Sequence, residues 1–86
     1  MPEYNGWPNY ETWNVNLWLS NDEFMYRHIE TLARLTDGPY ELAREIKRYV
    51  KGEQWAYFRK FGDLDEQDGD SIDGVDWQEI AEGWLS

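Results

Sequence analysis

Apolar residues return at helical spacing in five stretches of this chain, and no stretch alternates with a period of two. That periodicity restrains the fold more than any other feature. A helix buries residues three and four apart, whereas a half-buried strand buries every second one. In the first stretch Tyr10, Trp13 and Leu17 share a face, and Val15, Trp18 and Leu19 widen it. Met25, His28, Ile29 and Leu32 form the second stripe; Leu42, Ala43, Ile46, Tyr49 and Val50 form the third. Trp55 and Phe58, with Phe61, mark a short fourth piece, and Trp77, Ile80, Ala81, Trp84 and Leu85 a fifth. The predicted class is all-α: a small irregular bundle of four or five helices, one domain over residues 1–86, with a long acidic loop at roughly 62–76.

Capping signals punctuate these stripes. Asn9 is placed to cap a first helix running from Tyr10 to about Leu19. Ser20 and Glu23 have capping-box spacing and predict a second helix to about Leu35. Thr36-Asp37-Gly38 reads as a turn, with Pro39 at the first position of helix three and Gly52 at its end. Glu53 to Phe61 is the predicted fourth helix, and Asp76 with Glu79 repeats the capping box at the start of the fifth.

The 86 residues carry 18 acids against eight Lys or Arg, a net charge of −10. Acidic disordered chains are poor in aromatics, but here 17% of residues are aromatic, six of them Trp. Such rings supply enough apolar area to close a core. Cysteine is absent, which excludes disulfide frameworks, thiol nucleophiles and the usual structural zinc sites and fits a reducing cytoplasm. No run approaches a membrane span, and Met1-Pro2-Glu3-Tyr4 lacks the pattern of a signal peptide.

The charge is segregated. Residues 1–26 sum to −4, residues 27–60 hold every Lys and Arg and sum to +3, and residues 61–86 carry nine acids and no base. Asp63, Asp65, Glu66, Asp68, Asp70 and Asp73 crowd the predicted loop, and Glu79 and Glu82 continue the run. An EF-hand needs acids at loop positions 1, 3 and 5, glycine at 6 and glutamate at 12. Counting from Asp68, Glu79 falls at 12, but Ile72 falls at 5 and Gly74 comes one place late. Counting from Asp63, Gly69 is also one late. The expectation is therefore a solvated or partner-binding acidic surface, with no cofactor and no resident metal; a calcium- or magnesium-binding regulator is an alternative.

Arg44, Lys47, Arg48 and Lys51 fall at i, i+3, i+4 and i+7, a basic stripe beside the apolar face of helix three. Like charges at this spacing repel by a few tenths of a kcal/mol. Either nearby carboxylates neutralise the stripe or an acidic partner docks on it; four bases on a chain of −10 argue against direct nucleic-acid contact. His28 reads as a packed histidine. The serines, Ser20, Ser71 and Ser86, fall at cap, loop or terminus, so no nucleophilic triad forms and no enzyme is expected. Tyr4, Trp7, Tyr40 and Tyr57 lie off the inward stripes; as interface anchors, Trp7 and Tyr57 are candidates.

Asn9-Tyr10-Glu11-Thr12-Trp13-Asn14-Val15, with Leu17-Trp18-Leu19 and Asn21-Asp22-Glu23, resembles a group of small proteins carried by phages, plasmids and related mobile elements. Val75-Asp76-Trp77-Gln78-Glu79-Ile80-Ala81, with Trp84-Leu85, is similar to that group's C-terminal helix. The resemblance covers about a third of the chain and reaches neither the basic stripe nor the acidic loop. It brings no catalytic residues. It implies a mobile-element origin, a setting in which small acidic proteins often inhibit host defence, as anti-CRISPR and anti-restriction proteins do. The functional expectation is a non-enzymatic, anti-CRISPR-like inhibitor in the host cytoplasm. It would act as a DNA mimic on a basic, nucleic-acid-binding surface of a defence complex, as a monomer or homodimer that touches neither nucleic acid nor membrane. The alternative is a mobile-element accessory protein docking another host or viral protein through the helix-three stripe.

Overall fold

The structure, a computed structural model, describes residues 6–60 and 74–86. Among these residues the chain forms five helices and no strand: α1 (Tyr10–Asn21), α2 (Glu23–Leu35), α3 (Pro39–Lys51), α4 (Trp55–Lys60) and α5 (Trp77–Leu85). The acidic loop expected over 62–76 lies outside the described residues up to position 73, and Val75 beyond it is buried.

Each boundary has a local cause. Asn9 is extended, and its side chain accepts from the Thr12 amide, capping α1. Helix α1 runs two residues past the predicted end, so Ser20 lies inside it and cannot cap α2. Asp22 takes that role: its amide donates to the Trp18 carbonyl, closing α1, and its carboxylate accepts from the Met25 amide, opening α2. One extended residue thus joins the two helices. Gly38 turns the chain at φ +127°, a conformation that favours glycine, and Pro39 then starts α3 with φ already fixed. Asp76 caps α5 by accepting from the Glu79 amide, as the sequence predicts.

The core draws on every helix. Val15 and Leu19, Met25 and Ile29, Leu42, Ile46 and Val50, Phe58, and Ile80 are all removed from solvent. Each such side chain contributes about 1.5–3 kcal/mol relative to exposure. Helix α3 has the most extensive packing against α5, so helices distant in sequence meet at the centre. The stripes of α2 and α3 fall where predicted. In α1 the buried line is Thr12, Val15 and Leu19, while Tyr10, Trp13 and Leu17 are only half-buried. A large ring predicts burial in sequence, but Thr12 is the residue whose hydroxyl finds partners inside.

Candidate functional site

The polar residues of the Asn9–Val15 segment hold the two ends of the fold together. Asn9 Oδ1 accepts from the Thr12 amide at 2.9 Å and from the Thr12 hydroxyl at 2.6 Å. Its Nδ2 donates to the Gly74 carbonyl at 2.7 Å, and the Asp76 amide donates to Thr12 Oγ1 at 2.8 Å. Farther along α1, Asn16 Oδ1 accepts from the Trp84 indole at 3.1 Å. Gly74 also admits the Glu11 side chain: a Cβ there would stand 2.7 Å from Glu11 Oε2. So α1 fastens both the entry and the far end of α5. These residues have a structural task, and the surface candidates lie elsewhere.

On the outer side of α5, Asp76, Glu79 and Glu82 are exposed. Glu82 accepts from Gln78 Nε2 at 3.3 Å, and Asp76 is occupied as the cap. Among the described residues no Lys or Arg pairs with any of the three. Asp63, Asp65, Glu66, Asp68, Asp70 and Asp73, the remaining carboxylates of the predicted patch, lie outside the described residues.

Helix α3 presents Arg44, Lys47, Arg48 and Lys51 to solvent. Arg48 approaches Glu45 at 3.8 Å; Arg44, Lys47 and Lys51 have no ion pair among the described residues. Tyr40, 72% exposed, stands four residues before Arg44 on the same strip. The only other described ion pair, Arg27 with Glu23 at 2.8 Å, is on α2.

The predicted aromatic anchors divide. Tyr57 is half-buried and meets Trp18 edge-on at 5.8 Å, and burial, with Asp22 nearby, raises its phenol above the ordinary range. It belongs to the packing more than to a surface. Trp7 is half-buried, with its ring edge over Gly83 of α5. His28 stacks on Tyr49 at 4.0 Å and is a packing residue as read.

Sequence reasoning missed Tyr26, which is 40% exposed on α2 and meets the Trp84 ring at 5.0 Å and 60°. With Trp7 these rings border a groove of about 350 Å³ between α1, α2 and α5. The only cue in the sequence is that Tyr26 is a large ring off the Met25–Ile29 stripe. Trp84 fits the α5 stripe, so periodicity alone assigns it to the core, whereas in the fold it is only partly buried.

Among the described residues no group of three or more His, Cys, Asp or Glu could hold a metal ion, and no helix is long and apolar enough to cross a membrane. Fold and surfaces together define a small all-α protein built around a polar clamp, with a basic stripe on α3 and, at α5, exposed acids and no base. The chain belongs to a family of unknown function (DUF7249), whose model matches residues 1–82. No curated protein and no solved structure matches it.

Proposed function

We propose that this protein is a non-enzymatic inhibitor of a host defence complex. It binds a basic, nucleic-acid-binding surface as an acidic mimic of DNA and blocks nucleic-acid access, within the cytoplasm of a host that carries a mobile element. The observation that carries the reading is the outer side of α5, where Asp76, Glu79 and Glu82 are exposed without a cationic partner among the described residues and extend the acid-rich run of residues 63–73. Unpaired surface carboxylates attract a Lys- and Arg-lined channel of the kind that defence effectors use to hold nucleic acid. Complementary charge speeds such an encounter and makes it sensitive to salt. The test is inhibition of a CRISPR or restriction complex by the chain and by a variant with Asp65, Asp68, Asp70, Glu79 and Glu82 changed to Lys. The wild-type chain blocks DNA binding and the variant does not; equal inhibition by both removes the reading.

A second reading has its own observation: Arg44, Lys47 and Lys51, without an ion pair among the described residues, stand in line with exposed Tyr40. Tyr and Arg are enriched among residues that dominate interfaces. On this reading an accessory protein docks an acidic partner through α3. Capture of a partner that is lost in Arg44→Glu with Lys47→Glu, yet kept in the five-site Lys variant of the acidic run, favours it over the first.

A further inference from the structure

The groove bordered by Trp7, Tyr26 and Trp84 has no part in the fold's polar clamp beyond the single bond that fixes Trp84. Its three rings come from three segments, the turn before α1, the exposed side of α2 and the end of α5. The Trp84 indole is held by its bond to Asn16, so that ring has a defined orientation. Tyr26 stands against it at 60°. Trp7 closes the third side over Gly83, where even a Cβ would meet the tip of its ring at an ordinary contact distance of 3.4 Å.

Resting on the reading of a basic partner, we infer that this groove receives an arginine side chain from that partner. Among the described residues the lining includes no charged side chain, and Ser20 and Ser86 add hydroxyl oxygens beside the rings. Aromatic faces are negative and attract cations, with Trp the strongest, and a planar guanidinium both stacks on a ring and donates in its own plane. The net charge of the chain has the matching sign, −10. A neighbouring groove shares Tyr26 and Trp84 and adds Glu30 and Arg34. Arg34 repels a second cation there, whereas Glu30 favours one at the shared rim, so the guanidinium belongs in the first groove. Lysine fills the same space with a more strongly hydrated point charge and gains less from the rings. The acidic surface supplies attraction without choosing between the two; the groove supplies preference for arginine.

The experiment titrates the full chain with a capped hexa-arginine peptide and with a capped hexa-lysine peptide, read by calorimetry and by tryptophan fluorescence. The wild-type chain binds the arginine peptide about tenfold more tightly than the lysine peptide. Tyr26→Leu keeps the groove apolar but removes a π face, and it abolishes that preference. Tyr26→Phe retains it. Tyr26 is partly exposed, so unchanged helical content and melting temperature are expected for both variants and establish that they fold. Glu79→Lys with Glu82→Lys weakens both peptides and flattens their salt dependence while the preference for arginine survives. If Tyr26→Leu keeps the full preference, or if the wild type has none, the groove assignment is overturned while the acidic reading stands on the salt-dependent binding that remains. If neither peptide binds, both readings fall together.

Discussion

Thr12 is fully buried, and its hydroxyl donates to Asn9 while accepting from the Asp76 amide. A buried amide without an acceptor costs about 1–3 kcal/mol. Thr12→Val preserves shape and removes the acceptor, so its urea midpoint corresponds to a loss of about 1–3 kcal/mol, and Thr12→Ser recovers most of it. The cap by Asn9 is legible in the sequence because its partner is three residues away. The links to Gly74 and Asp76 are not, because 65 and 64 residues, respectively, separate the partners and no periodicity couples them. Tyr49 offers a second test at this scale. Its burial raises the phenol pKa, the Gln54 hydrogen bond opposes this, and Glu53 and Asp22 add to the rise. The folded chain therefore holds that proton to higher pH than the unfolded chain. The associated stability is complete below the ordinary tyrosine value of about 10 and is lost as pH climbs through the raised native value. Melting temperatures recorded from pH 8 to 11 fall in the wild type and fall less steeply in Tyr49→Phe.

Helix α3 sets stability and recognition against each other. Its inward stripe is fully legible in sequence, since all five predicted residues are buried. Its outer stripe is legible as a pattern, but whether carboxylates neutralise it depends on side chains from other elements, and that is read only in three dimensions. The same limit explains α2, where Phe24 and Leu35 are 71% and 75% exposed although their residue types suggest burial. It also explains the start of α2, because Ser20 and Asp22 both satisfy local cap chemistry, and the continuation of α1 through Asn21 decides between them. Because Arg44, Lys47 and Lys51 stand at spacings where like charges repel and have no ion pair among the described residues, Lys47→Glu relieves repulsion and sets an acid four residues before Lys51, the favourable order. It raises the stability of the free chain by about 0.5 kcal/mol, seen as about 2–4 °C in melting temperature. If α3 docks an acidic partner, the same variant loses that partner. A more stable chain that has lost binding marks the stripe as kept for recognition; a more stable chain with unchanged binding leaves it without that role.

Over the whole molecule, charge opposes folding and favours a basic partner, and salt separates these effects. With −10 on 86 residues, the compact state carries self-repulsion that the expanded chain relieves. The fold withstands it through an apolar core drawn from all five helices and a clamp between α1 and α5, neither of which depends on ion pairs. The Glu79 and Glu82 carboxylates are exposed and take no part in that core or clamp, so their charge can change without disturbing either. Raising ionic strength from 10 to 150 mM shortens the screening length from about 30 to about 8 Å. Free protein then becomes more stable, because repulsion between carboxylates is screened, and its melting temperature rises by about 2–5 °C. A complex with a basic, nucleic-acid-binding surface moves the other way and weakens by about tenfold or more over the same range. Changing Glu79 and Glu82 to Lys reduces both responses, since it lowers the net charge and cuts into the acidic surface. Calorimetric melting and binding measured on the same samples check this. A melting temperature that rises with salt beside an affinity that does not fall would remove electrostatic mimicry as the basis of binding.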